Sequence, residues 1–166
     1  NEFMLIFLDQ IRKQRSSEYV ALLNKLVGEA PREWIMHYTN ELISFVKELW
    51  KSPLLSFTLD LIPTLAYVFA DHFSFFLLEC LPFLLDCLFS NLSSSPDICH
   101  KVFISLVSLE NISNDFYFLV YPELINAITM PKTLFGVKID ALITLRVLVQ
   151  KAFPSSFTAA IIRCII

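Results

Sequence analysis

The sequence predicts an all-α fold assembled from repeated units of about 40 residues. Similar tetrapeptides recur along the chain at residues 40, 82, 122 and 163. The chain has two glycines and eight prolines, and the prolines cluster near expected helix starts, which disfavours a turn-rich β fold. A period of about 40 to 47 residues is typical of two-helix HEAT units, which must stack on neighbours to bury their apolar faces. We therefore predict a HEAT-like α-solenoid, an α-α superhelix of about four repeats.

Composition argues against a nucleic-acid partner. Charged residues make up 17% of the chain and the formal net charge is −3, with acidic and basic residues interspersed. The one basic run, residues 12–15, falls where the first helix should end. Cations there interact favourably with the negative end of the helix dipole, which we favour over contact with phospholipid or nucleic acid.

The first half of the chain divides at helix-start signals. Residues 1–15 read as the second helix of a truncated preceding repeat, with a helix over 3–14. Residues 16–51 form the next repeat, which Ser17 should cap and in which Pro31 should start one continuous partner helix. The apolar positions that should face the core of this repeat are Val20, Leu23, Leu26, Val27, Ile35, Tyr38, Leu42, Phe45, Val46 and Leu49.

The third unit covers residues 52–92. Ser52 and Pro53 should start its first helix, and Pro63 should bend that helix because an internal proline removes a backbone hydrogen bond. Its partner helix should run from about residue 75 to residue 90, with Pro82 in its early half.

Residues 93–131 and the truncated unit 132–166 complete the predicted array. Ser95 and Pro96 repeat the start signal, and serine, asparagine or aspartate residues should open the later helices. The expected caps are Asn114, Asp115, Ser155 and Ser156, and the expected core positions are Ile98, Val102, Leu106, Leu109, Phe118, Val120, Tyr121, Leu124, Ile139, Leu142, Ile143 and Val149.

No enzyme signature can be built from these residues, so we expect no catalytic, cofactor-binding or metal-binding residue in this chain. Two distant glycines allow neither a P-loop nor a dinucleotide-binding motif. The only candidate general bases are His37, His72 and His100, which we interpret as structural because a catalytic histidine needs an orienting partner and a cleft. The cysteines lack metal-ligand spacing and should be reduced and buried: Cys80, Cys87, Cys99 and Cys164.

Trp34 and Trp50 bracket one helix of the predicted array. Tryptophan is favoured as an anchor in protein interfaces, yet large rings at the seams between repeats are as often part of the core. Both interpretations stay open. The serine clusters could be phosphorylated, but each lies where a helix needs a cap, which we favour.

Residues 18–50 resemble, without a gap, part of the helical-repeat region of the target-of-rapamycin (TOR) kinase family. Residues 72–89 and 114–129 resemble the family's aromatic-to-Leu-Pro helix starts, with Asp115, Leu119 and Pro122 on matching positions. The pattern continues in register through the next helix at Ala141, Leu142 and Thr144. The resemblance covers nearly the whole chain. A shortened loop before Pro53 and the additional Pro63 depart from the family pattern.

The resemblance implies a non-catalytic piece of the middle HEAT solenoid of a protein serine/threonine kinase. Such a segment would contact other repeats of its own chain, a TOR dimer mate and a Raptor-type subunit, in the cytoplasm or peripherally on endomembranes. The chain lacks an initiator methionine and ends inside an apolar pattern, so we expect a fragment. We expect no integral membrane insertion because Asp71, Glu79 and Asp86 interrupt the apolar stretch over residues 61–92. A small polytopic membrane protein and a stand-alone HEAT adaptor stay as alternatives.

Overall fold

A computed structural model describes residues 2–69, 74–109 and 116–152 of the protein. The secondary structure over these ranges is all-helical. For residues 74–79 and 152 only the backbone is described. These ranges contain no strand, which confirms the predicted fold class at the level of an all-α protein. The helices described are α1 (Phe3–Gln14), α2 (Ser17–Glu29), α3 (Arg32–Met36), α4 (Thr39–Leu49), α5 (Leu55–Val68), α6 (Ser74–Asn91), α7 (Pro96–Ser108), α8 (Phe116–Thr129) and α9 (Phe135–Ala152).

The chain forms two compact units, Asn1–Leu78 and Glu79–Ile166, and the division falls within α6. In the first unit, α5 packs against α2, α3 and α4. Its largest fully buried side chains come from α1 to α5 and from Phe69, which directly follows α5: Met4, Leu8, Ile11, Leu23, Ile35, Leu42, Phe45, Leu59 and Phe69.

The first helix has the predicted bounds, and α1 ends at the basic run. Arg15 follows it in the left-handed conformation, with φ of 47°, and its backbone N–H donates to the Ile11 carbonyl oxygen. This is the αL cap that commonly ends a helix. Lys13 forms an exposed ion pair with Asp9 one turn earlier. The basic residues therefore lie where the dipole argument places them.

The prediction that Ser17 caps the next helix was wrong by one residue. Ser16 has extended backbone, and its side chain accepts a hydrogen bond from the Glu18 N–H. Ser17 is already the first residue of α2. Two adjacent serines carry the same capping signal, and the backbone conformation decides which of them is used.

The partner helix predicted after Pro31 is split in two, so the prediction of one continuous helix was wrong. α3 ends at Met36, and Tyr38 leaves helical geometry with φ of −113° and ψ of 18° before α4 begins. The Thr39 hydroxyl donates to the Met36 carbonyl oxygen at 2.8 Å across this break. The predicted apolar stripe nevertheless faces the core, since Ile35 and Tyr38 are buried together with four residues of α4.

The next helix, α5, starts later than the Ser52-Pro53 signal predicts. Ser52 accepts a hydrogen bond from the Leu54 N–H and donates to the Leu49 carbonyl oxygen, so its side chain stabilises the turn between α4 and α5. The helix itself begins at Leu55 and continues through Pro63.

The second unit is held together by α9, which packs against both α7 and α8. Its start is tied to the end of α6, because the Leu134 N–H donates to the Leu92 carbonyl oxygen at 3.0 Å. The bounds of α6 lie within about one residue of those predicted. Ser95 and Pro96 take the predicted N-cap and first-turn positions of α7, although the Ser95 side chain makes no capping hydrogen bond.

Several predicted core positions in the second unit are correct and others are wrong. Val102, Leu106, Leu109, Val120, Leu124 and Val149 are buried, and Ile98 and Tyr121 are half-buried. In contrast, Phe118 is 76% exposed and Ile139, Leu142 and Ile143 are 42 to 55% exposed. α9 buries Val137, Ala141, Leu145 and Leu148 instead. α9 has apolar residues on more than one face, so periodicity alone selected the wrong one.

Four groups of predicted residues lie outside the described ranges: Asp71 with His72, Asn114 with Asp115, Ser155 with Ser156, and Cys164. Among the helices that are described, none combines the length and apolar character needed to cross a membrane.

Candidate protein-interaction surfaces

In the first unit, an asparagine joins α2 to α5. The Asn24 side-chain amide donates to the Asp60 carbonyl oxygen at 3.2 Å, and its amide oxygen accepts from the Thr64 hydroxyl at 2.5 Å. Asn24 and Thr64 are both partly buried and are separated by 40 residues. The Asn24 side chain thus connects two helices.

In the second unit, an apolar groove of about 210 Å³ lies between α7 and α9. At the groove, the Nδ1 atom of His100 lies 3.1 Å from Oδ2 of Asp140, again 40 residues apart. The groove is lined by His100, Phe103, Ile104, Val107, Asp140, Ile143, Thr144 and Val147. Ile104 and Ile143 are about half exposed, at 48% and 55%. The groove therefore offers an apolar surface to solvent.

A second cavity, in the first unit, has a charged lining. It measures about 350 Å³ and is lined by Arg12, Arg15, Glu48, Leu49 and Ser52. Arg12 Nε donates to Glu48 Oε2 at 2.7 Å, and its guanidinium lies 5.6 Å from the centre of the Phe45 ring. Glu48 therefore pairs with Arg12, one of the two arginines that line this cavity.

The two predicted interface anchors are both half-buried. Trp34 lies in α3, and its ring packs edge-to-face on Tyr38 with centroids 5.4 Å apart. Trp50 directly follows α4, and its backbone N–H donates to the Val46 carbonyl oxygen. A half-buried indole can serve either a core or an interface, so the anchor role stays a prediction.

Two of the three histidines, His37 and His100, lie in the part of the chain that the structure describes. His37 is exposed at the break between α3 and α4, where the sequence predicted the interior of one helix. His100 has an orienting carboxylate in Asp140, a pairing that sequence reasoning missed and that the 40-residue period could have indicated. Within the described ranges no three or more His, Cys, Asp or Glu side chains are grouped as metal ligands.

Three of the four cysteines are described, and all three are free and buried. Burial raises the pKa of the Cys80 thiol far above its usual range. Burial, with a smaller contribution from Asp86, raises the pKa of Cys87 to about 11. Burial also raises the pKa of Cys99 to about 11. Thiols in this state are poor nucleophiles at neutral pH.

The outer face of α9 is an exposed apolar stripe, defined here as Phe135, Ile139, Leu142 and Ile143. Phe135 is 78% exposed, and the other three are 42 to 55% exposed. Contiguous exposed apolar surface of this kind marks interaction sites more often than isolated apolar residues do. The α9 stripe adjoins the α7–α9 groove, and Ile143 belongs to both.

No protein-family model matches this sequence, and comparison with curated proteins and with solved structures gives no significant match.

Proposed function

We propose that the chain is a segment of a HEAT-like α-solenoid that serves as a non-catalytic scaffold for protein partners. The observation that carries this proposal is the separation of the residues that contact each other between helices. Arg12 meets Glu48 over 36 residues, Asn24 meets Thr64 over 40, and His100 meets Asp140 over 40. These separations are close to the repeat period of about 40 residues in the sequence.

The pattern of helix pairs supports stacked repeats within each unit. α2 packs on α5, and α7 packs on α9, so each pair joins the helices that open two successive predicted repeats. The α1–α4 contact through Arg12 joins two predicted second helices. In a solenoid, each repeat contacts its neighbours through equivalent positions.

A scaffold role follows from this architecture together with the resemblance to the TOR family. In the proposal, the segment holds a dimer mate and a Raptor-type subunit at fixed spacing while catalysis occurs elsewhere in a longer kinase. Half-buried Trp34 and Trp50 would supply anchors for such partners. The protein would act in the cytoplasm or at the surface of endomembranes.

Binding of a purified Raptor-type subunit to the 166-residue chain tests the scaffold role. We expect saturable binding by biolayer interferometry, weakened at least about tenfold by Trp34→Ala or Trp50→Ala, as for interface hot spots. Tyr67→Ala is the matched control, because Tyr67 is 83% exposed in the same unit. Absence of binding, or an equal loss with Tyr67→Ala, contradicts the TOR-type scaffold role. Protein kinase activity of the isolated chain would also contradict the proposal.

A further inference from the structure

The charged cavity of the first unit holds hydrogen-bond donors that its own carboxylate does not use. Glu48 accepts from the Arg12 guanidinium through Nε, at 2.7 Å. An arginine carries further N–H donors on its Nη atoms, arranged in a planar fork. None of the described residues hydrogen-bonds to those Nη atoms or to the guanidinium of Arg15, which lines the same cavity. The cavity therefore keeps unused donors from two guanidinium groups.

Two neighbours hold the Arg12 side chain in place. The Glu48 carboxylate accepts from its Nε, and its guanidinium lies 5.6 Å from the centre of the ring of Phe45, which is fully buried. An ion pair on one edge and an aromatic ring on one face together orient the plane of a guanidinium. A ligand that binds the Nη edge of Arg12 thus meets a side chain that is already ordered, which lowers the entropy cost of binding.

Arg15 occupies a backbone position that favours glycine. Its φ of 47° lies in the left-handed region, which is unfavourable for a residue with a side chain. No hydrogen bond or ion pair from the Arg15 side chain to another described residue offsets this strain. Backbone strain of this kind is concentrated at active sites and ligand clamps. The strain at Arg15 is therefore consistent with a role of its guanidinium in binding a ligand.

The dipoles of α1 and α4 explain why cations lie at this cavity, but they leave the guanidinium donors unused. Both helices end there, and the carbonyl groups at a helix C-terminus favour cations. The Ile11 carbonyl oxygen already accepts from the Arg15 N–H at 2.8 Å. The Leu49 carbonyl oxygen accepts from the Ser52 N–H at 2.9 Å and from the Ser52 hydroxyl at 2.7 Å. These hydrogen bonds reduce the repulsion that the two oxygens would exert on an anion.

The charge and the size of the cavity specify the ligand. Two arginines and one glutamate line it, so one positive charge of the lining has no counterpart. Lys51, which is exposed and precedes Ser52 in the chain, adds another nearby cation. A phosphate group carries a charge of about −1.5 to −2 at neutral pH and has three acceptor oxygens, which two guanidinium groups can share. The volume of about 350 Å³ lies near the lower end for small-molecule sites, about 300 to 1,000 Å³.

We propose that the cavity between the ends of α1 and α4 is a binding site for a phosphate group, held by Arg15 and by the Nη edge of Arg12. The recognised chemistry is the phosphate itself, carried either by a small soluble compound or by the headgroup of a phospholipid. This site goes beyond the scaffold role, and it does not depend on the repeat architecture or on a protein partner.

Titration of the 166-residue chain with inorganic phosphate at low ionic strength, followed by isothermal titration calorimetry, tests the site. We expect saturable binding in the millimolar range. Arg15→Asn should weaken it at least about fivefold, the upper end for an exposed ion pair. Asparagine adopts left-handed backbone more readily than most residues, so this variant should keep its fold, as checked by circular dichroism. Lys25→Gln, at an exposed lysine of α2 that does not line the cavity, is the matched control and should leave binding unchanged.

Glu48→Gln should change the affinity in the opposite direction. The substitution removes the carboxylate that competes with phosphate for Arg12, while the new amide oxygen can still accept from Arg12 Nε. We expect phosphate to bind about two- to fivefold more tightly. Glu29→Gln removes an exposed carboxylate of α2 and changes the net charge equally, so it is the control and should leave the affinity unchanged.

Vesicles distinguish the two sources of the phosphate. The chain is sedimented with vesicles of equimolar phosphatidylcholine and phosphatidylglycerol. Sedimentation that Arg15→Asn weakens, and that phosphate reverses more than sodium chloride of equal ionic strength does, assigns the site to a lipid headgroup. Absence of sedimentation, with binding of inorganic phosphate intact, assigns it to a soluble phosphate compound.

Three results overturn the inference. The chain does not bind inorganic phosphate, or Lys25→Gln weakens binding as much as Arg15→Asn does, or Glu48→Gln fails to tighten binding relative to Glu29→Gln. The binding of a Raptor-type subunit is measured separately, so the scaffold role can stand or fail independently of this site.

Discussion

The imidazole of His100 and the carboxylate of Asp140 meet at 3.1 Å across the seam between α7 and α9, one sequence period apart. Their side chains are 59% and 31% exposed. An exposed pair of this kind contributes about 0 to 1 kcal/mol to the free energy of unfolding. The contact therefore marks the register of the two helices more than it stabilises them, and the stability of the seam has to come from its apolar and partly buried residues.

Asn24→Ala tests the corresponding seam in the first unit. The substitution removes the donor to the Asp60 carbonyl oxygen and the acceptor of the Thr64 hydroxyl in a partly buried site. We expect the free energy of unfolding to fall by about 1 to 3 kcal/mol, measured by urea denaturation. Asn40→Ala, at an exposed position of α4, is the control and should change it by less than about 0.5 kcal/mol. Equal effects of the two substitutions would show that the Asn24 contacts do not hold α2 to α5.

Arg12 should contribute more to stability than its ion-pair partner Glu48. Both substitutions to Ala remove the exposed ion pair, which is worth about 0.2 to 1 kcal/mol. Only Arg12→Ala also removes the guanidinium from the Phe45 ring, a contact worth about 0.5 to 1 kcal/mol more. Denaturation at low and at 1 M salt should show that salt reduces the effect of Glu48→Ala but leaves part of the Arg12→Ala effect. A larger effect of Glu48→Ala would contradict the assigned Phe45 contact.

Arg15→Gly should stabilise the protein. Arg15 has φ of 47° at the end of α1, a conformation that costs an L-residue roughly 1 to 2 kcal/mol and that glycine adopts freely. Glycine also loses more entropy on folding, so we expect a net gain of up to about 1 kcal/mol in the free energy of unfolding. Arg32→Gly, in the first turn of α3, is the opposite control and should destabilise. A loss of stability with Arg15→Gly would show that contacts of the Arg15 side chain outweigh its backbone conformation.

Cys80, Cys87 and Cys99 should resist alkylation in the folded chain. Burial raises the pKa of each thiol, so the reactive thiolate is scarce at pH 8 and the sulfur is shielded. In a Cys164→Ser background, mass spectrometry should detect no iodoacetamide adduct within minutes at pH 8 and three adducts in denaturant. Rapid labelling of any of the three in the folded state would contradict the burial of α6 and α7.

The same thiols predict how stability changes in alkaline solution. Their folded-state pKa is raised above the ordinary value of 9.0, to about 11 for Cys87 and Cys99. As pH rises past 9 the unfolded chain loses these protons first, so it binds fewer protons than the folded chain and the free energy of unfolding falls. The contribution of these thiols to the free energy of unfolding is complete below pH 9 and is lost as pH rises through 11. Cys87→Ala should make the decline from pH 9 to pH 11 shallower, in denaturation curves recorded at each pH.

Helix positions were predictable where a single strong signal marked them. α1 has the predicted bounds because its apolar spacing stops at the basic run, and α7 begins at the Ser95-Pro96 signal. α6 lies within about one residue of its predicted bounds. The break at His37 and Tyr38 could not be predicted, since neither glycine nor proline marks it. There, packing of Ile35 and Tyr38 into the core overrides the local preference for one continuous helix.

The candidate surfaces were less predictable than the helices. Ile139, Leu142 and Ile143 satisfy a helical spacing as well as Val137, Ala141, Leu145 and Leu148 do, so the sequence could not decide which face of α9 is buried. The contacts of Asn24 and His100 depend on residues 40 positions away, which local patterns do not report. The repeat period was the one long-range signal, and it becomes informative only when equivalent positions of successive helices are compared.

Cross-linking of engineered cysteines tests most directly whether successive first helices stack at the sequence period. Ile104 and Ile143 both line the groove between α7 and α9, so Ile104→Cys and Ile143→Cys form the test pair. In the control pair, Phe135→Cys replaces Ile143→Cys, because Phe135 lies in the same helix about 12 Å from Ile143 along the helix axis. With Cys164→Ser and a short bismaleimide, we expect efficient intramolecular cross-linking of positions 104 and 143 and little of positions 104 and 135. Equal cross-linking of both pairs, or none of either, would contradict the stacked register on which the proposed scaffold depends.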